Sequence, residues 1–189
     1  MTGHPPVHHL AFALPPAECA EWIALIDAAM GPVTLPGVTG EHPETSARLR
    51  AAIESDAAAM EWLRGCGGSG SAEGASAHVS NHWLYVRYDA GDDLAPHTDG
   101  SVPMEGLGAT SRSVASLLIY LDDGFDGGRT VFPRAAPGGR PYPTYDALVR
   151  DEFCADIECA VTPRAGKAVL IRHDALHLGE RVSRRKNLF

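Results

Sequence analysis

The sequence has no apolar run approaching the ~20 residues that a membrane-spanning helix requires. It also lacks the basic start and apolar stretch of a secretory leader over Met1 to Phe12. Its four cysteines, Cys19, Cys66, Cys154 and Cys159, show no CxxC spacing. They read as small buried hydrophobes of a reduced, cytoplasmic protein, although Cys154 and Cys159 are close enough in sequence to pair or to share a metal. No lysine or arginine run occurs before Arg184, Arg185 and Lys186, and 24 acids against 16 bases leave a formal charge of -8. That balance argues against a nucleic-acid backbone or an anionic membrane as the main partner.

What is present describes an ordinary soluble fold. Hydrophobic residues make up 44% and charged residues 21% of 189 positions, so the chain can bury a core and is neither disordered nor fibrous. Its length suits one domain. We expect residues 1–76 to form a helical N-terminal support ending in a Gly/Ser loop, and residues 77–189 to form a β core.

Cys19, Trp22, Ile23, Ile26 and Met30 fall at helical spacing after Pro15-Pro16, and Gly31-Pro32 stops the pattern. A second helix is expected from Pro43 to Gly65, with Leu49, Ile53, Met60 and Leu63 on one face. Gly65 to Ser76 is low-complexity and reads as a loop. Beyond it come short β-rich runs: Trp83 to Tyr88, Ser113 to Leu121, Thr130 to Phe132, Ile157 to Val161 and Ala168 to Arg172. Several short strands with turn signals imply a sandwich or barrel. Asp122 to Gly128 reads as a hairpin turn in which Gly127 and Gly128 supply positive φ, and Arg134 to Glu158 is a long Pro- and Gly-punctuated insertion that we read as a lid.

The chemistry-bearing segment runs from Tyr88 to Asp99. On an extended strand, residues two apart share a face, so His97 and Asp99 point into one space and offer an imidazole and a carboxylate to one metal. A third ligand must come from elsewhere. His173 and His177 are the candidates; their i, i+4 spacing would suit zinc on a helix, but the preceding run reads as a strand and the HExxH glutamate is absent.

The stretches YDAGDDLAPHTD (Tyr88 to Asp99), Tyr120 to Pro133 with its GGRTVFP end, VTPRAGKAVLI (Val161 to Ile171) and HLGERV (His177 to Val182) occur in the order of a known family. Together they resemble the prolyl 4-hydroxylase-like branch of the iron(II) and 2-oxoglutarate dependent dioxygenases. The resemblance implies a mainly β fold, a double-stranded β-helix or distorted jelly roll with flanking N-terminal helices. It implies Fe(II) held by His97, Asp99 and His177, with 2-oxoglutarate and O2 as cosubstrates and ascorbate as a candidate reductant. Related halogenases lack the carboxylate, so Asp99 favours hydroxylation or desaturation. In the family a basic residue on the last strand anchors 2-oxoglutarate. Lys186 takes that position, with Arg184 as runner-up, and Tyr88 and Thr130 match residues lining the same pocket.

The expected activity is hydroxylation of an unactivated C–H bond in a small-molecule or amino-acid-derived substrate, with succinate and CO2 as coproducts. The alternatives weighed are a peptidyl-prolyl hydroxylase of the same fold and a non-catalytic cupin-like metal-binding protein. Asp92, Asp93, Arg112, Arg129, Arg140 and Arg172 are charged candidates for the mouth of the site, with no role assigned. Oligomeric state is not read from the sequence.

Overall fold

The structure is a computed structural model that describes residues 5–30, 38–66, 76–104, 107, 111–133 and 157–185. Lys186, Arg140, Cys154, most of the Gly/Ser loop and residues 134–156 of the insertion lie outside the described residues.

Two antiparallel sheets make the core. The first contains β1 (Val7–Ala13), β9 (Lys167–Arg172) and β5 (Ala115–Ile119), in that order. The second contains β4 (Leu94–His97), β10 (His177–Gly179), β7 (Thr130–Pro133) and β8 (Ile157–Val161). Phe132 and Val161 of the second sheet share one buried cluster with Val7, Val169 and Ile171 of the first, so the sheets pack face to face. Strand alternation turns Ala168 and Leu170 to the opposite side of β9, where they meet the helices. Burial on both faces explains why β9 reads as a continuous apolar run rather than an alternating one. Two short pairs complete the strands: β2 (Val38–Glu41) with β3 (His82–Tyr85), and β6 (Phe125–Gly127) with β11 (Val182–Arg185).

The helix expected after Pro15 is α1 (Pro16–Met30). Its Cys19 and Trp22 are buried with Leu14 against Trp83 and Tyr85. The single helix expected from Pro43 to Gly65 is instead two, α2 (Pro43–Ser55) and α3 (Ala57–Gly65). Asp56 causes the break: its backbone is extended, and its carboxylate accepts hydrogen bonds from the amides of Ala58 and Ala59, as an N-cap does. Leu49 and Ile53 are buried as expected, and Met60 and Leu63 are half-buried against the same cluster, while α3 buries Ala59 and Trp62 fully. The indole of Trp62 donates to the Pro5 carbonyl at 3.0 Å, tying α3 to the start of β1.

Sequence reading missed β1, which packs along β9 from Val7↔Ile171 to Ala13↔Lys167. Asp122 to Gly128 also differs from a plain hairpin turn, because Phe125–Gly127 is itself a strand paired with β11. Gly127 and Gly128 do take positive φ, 80° and 67°. The mainly β architecture with N-terminal helices is as expected.

Candidate metal centre

His97 ends β4, His177 begins β10, and antiparallel pairing sets them opposite each other. Asp99 follows β4 by two residues. The three offer ligand atoms that all lie within 4.8 Å of one another. The Asp99 Oδ1 is 3.5 Å from His97 Nε2 and 3.8 Å from His177 Nε2. The two imidazole centroids are 4.3 Å apart. His177 is buried, and the Phe132 ring stands 5.7 Å from its ring.

Each histidine is oriented in the same way. His97 Nδ1 lies 2.9 Å from the Ala95 carbonyl, and His177 Nδ1 lies 3.0 Å from the Ala175 carbonyl. A carbonyl only accepts, so each Nδ1 carries a proton and each ring turns its Nε2 toward the other ligands. Such an outer partner fixes tautomer and ring direction at metal sites. The Asp99 carboxyl is pulled down to about 2, chiefly by its contact with His97 and against the effect of burial. His97 is raised by the same contact, while burial lowers His177. Asp99 is therefore ionised and His177 neutral at pH 7, the forms a divalent cation needs. Two borderline imidazoles and one hard carboxylate fit iron(II).

His173 lies outside this cluster. The chain leaves β9 at Arg172, turns, and enters β10 at His177, so the two histidines share no helix face and the helical zinc arrangement does not form. Nor does Cys159 join a metal-type cluster among the described residues.

A cavity of about 320 Å³ has Tyr88, Tyr120, Thr130, Gly179 and Val182 in its lining. The triad is not part of that lining, but Gly179 is two residues beyond His177 and pairs with Thr130 across the sheet. Tyr88 and Thr130 thus come to one cavity. Tyr120 was not anticipated there. Its hydroxyl is 2.7 Å from Thr130 Oγ1, and burial pushes it up to about 12, so it stays protonated as a hydrogen-bonding group. The clue lay in the Tyr120 to Pro133 stretch, whose first and eleventh residues are this pair. Of the charged mouth candidates, Asp93 pairs with Arg181, Arg129 with Glu180 and Arg172 with Asp174.

No protein-family model matches the chain. Over 85 residues, 45% of this chain, it is 34% identical to a probable prolyl 4-hydroxylase 3 of Arabidopsis thaliana. That match spans 29% of the plant protein, so the chain corresponds to less than a third of its curated relative. Among solved structures, the chain is similar to the viral collagen prolyl hydroxylase of Paramecium bursaria chlorella virus 1, in its 2OG complex. The TM-score is 0.50 and the identity 13%, over 97% of this chain and 92% of the viral one. At that identity the likeness speaks for the fold, which is the jelly roll of prolyl hydroxylases. Fold and sequence together bear out the resemblance to the prolyl 4-hydroxylase-like 2-oxoglutarate oxygenases. No described helix is long and apolar enough to cross a membrane.

Proposed function

We propose that the chain is an iron(II)- and 2-oxoglutarate-dependent oxygenase that hydroxylates an unactivated C–H bond, with His97, Asp99 and His177 as the iron ligands. The observation that carries this reading is the triad, two imidazoles locked by backbone carbonyls with their Nε2 atoms turned to one carboxylate. Three protein ligands leave positions for a bidentate cosubstrate and oxygen, whereas a closed four-ligand site would not. When bound, iron with 2-oxoglutarate supplies the oxygen-activating redox chemistry that no side chain here provides. The protein's part is to hold, orient and exclude water. Asp99 contributes the negative charge, and Tyr120 and Thr130 offer neutral hydroxyls to the cosubstrate. Lys186, with Arg184 as runner-up, anchors the remote carboxylate, and Tyr88 contributes to the same cavity.

We further infer that the substrate is a prolyl residue within a peptide, in place of the small molecule expected from sequence. The names of both relatives favour a prolyl target. After Asp99, Pro103 and Arg112 form an isolated β-bridge, and Val102 and Leu107 are exposed at 55% and 48%. Exposed apolar side chains in the segment that follows Asp99 suit an extended chain better than a metabolite, which an enclosed pocket would hold. The test is a mass-spectrometric screen for a gain of one oxygen, with Fe(II), 2-oxoglutarate and ascorbate present, across proline-containing peptides and free amino acids. Oxygen gained on the peptides and not on free proline is expected. Gain on free amino acids alone would return the reading to a small molecule.

A further inference from the structure

The ladder that sets His97 opposite His177 is short. Strands β4 and β10 share two paired positions, His97↔His177 and Leu94↔Gly179, with a register irregularity between them. Two pairs are too few to fix register, because a hairpin-sized contact is marginal without outside support. The support comes from the residues that follow. Glu180 and Arg181 leave β10 side by side and form ion pairs in different directions. The Glu180 carboxylate accepts Arg129 Nε at 2.9 Å and Nη2 at 2.7 Å, tying β10 to the residue that precedes β7. Arg181 directs Nε and Nη2 to Asp93 Oδ2 at 2.9 and 2.6 Å, tying it to the residue that precedes β4. Backbone bonds run beside this second tie: the Val182 amide donates to the Asp92 carbonyl at 2.9 Å, and the Gly91 amide to the Val182 carbonyl at 2.7 Å.

We propose that Asp93 and Arg181 form a latch that holds the two histidine-bearing strands in register, so that the metal affinity of the triad depends on them. Neither residue belongs to the triad or to the cavity lining, so both are positioning residues. The latch spans the same two strands as the ligands, and a shift of one strand along the other would carry His97 and His177 apart. The inference rests on the metal reading given above.

An ordinary exposed ion pair contributes little, and the molecule contains a matched control. Arg48 and Glu18 are 2.8 Å apart with side-chain exposures of 45% and 18%, against 44% and 22% for Arg181 and Asp93, but they join α1 to α2. Titration of the purified chain with Co(II), followed by the metal's visible absorption and paired with thermal melts, separates a positioning role from a merely structural one. Wild type and R48Q are expected to bind Co(II) equally. R181Q should bind about fivefold more weakly, the upper range for such a pair, and the exchange D93R/R181D should recover most of the loss. Wild-type affinity in R181Q overturns the latch, as does an exchange variant no tighter than R181Q. Where R181Q melts well below R48Q, an exchange variant that melts like wild type carries the decision. A wild-type chain that takes up no Co(II) removes the metal reading and the latch together, whereas binding that R181Q leaves intact removes the latch alone.

Discussion

Replacing Gly179 by Ala tests how tightly the ligand strands are packed. A Cβ at this position would stand 3.0 Å from Leu94 Cβ and 3.4 Å from the Leu94 nitrogen. Carbon atoms prefer ~3.5–4.0 Å, so β10 and β4 must part by roughly 0.5–1 Å. Overpacking of this kind costs ~1–3 kcal/mol, which lowers Tm by about 5 °C for a chain of this size, at ~2–4 °C per kcal/mol. The effect on metal should be larger in proportion. Ligand distances tolerate only about ±0.2 Å, and the displaced pair, Leu94↔Gly179, is half of the ladder that sets His97 against His177. We expect Co(II) affinity to fall tenfold or more. Gly100 is the control: it lies next to Asp99, and its Cβ would meet nothing within 4 Å. G100A should stay within ~0.5 kcal/mol of wild type, as surface changes do, and should bind metal normally. Equal melting and equal affinity for G179A and G100A would show that close packing of Gly179 on Leu94 does not set the ligand strands.

Two further predictions concern stability. Asp56→Ala removes the cap of α3 and should cost about 1 kcal/mol at pH 7, read by urea denaturation. Hydrogen bonding from the Ala59 amide is the main cause that lowers the Asp56 carboxyl in the folded state. Its contribution is therefore complete above the ordinary aspartate value of ~3.9 and is lost as pH falls through the lower folded value, so the gap between variant and wild type should narrow below about pH 4. Tyr120→Phe leaves the Thr130 hydroxyl without its 2.7 Å partner in a buried place, at a cost of ~1–3 kcal/mol. It should also raise KM for 2-oxoglutarate, whereas an unchanged KM would remove Tyr120 from the cosubstrate site.

How far the sequence could be read depended on how local each signal is. Val169 to Ile171 announced a buried strand because both its faces are covered. His97 and Asp99 were legible as a pair because a near-extended backbone puts residues two apart together. The break at Asp56 was hidden by the periodicity itself: Met60 follows Leu49 by about three helical turns, so the apolar pattern continues through the cap. Strand β1 escaped because His8 and His9 interrupt its apolar alternation, although His8 lies 3.6 Å from Asp56 in the fold. The ion pairs of Glu180 and Arg181 could not be read at all, since their partners lie 51 and 88 residues away and any acid or base in the chain would have served equally.

An iron held by His97, Asp99 and His177 is proposed to turn over 2-oxoglutarate, and succinate measures that directly. Purified chain supplied with Fe(II), 2-oxoglutarate, ascorbate and air should release succinate, and H177A should release none above the protein-free background. Removing one of three ligands takes away both affinity and geometry. Chelating the iron before the assay should give the same result as the substitution. Succinate from H177A at the wild-type rate, or a wild-type protein that binds the metal and forms no succinate with any substrate in the screen, would contradict the account and leave a metal-binding jelly roll without turnover.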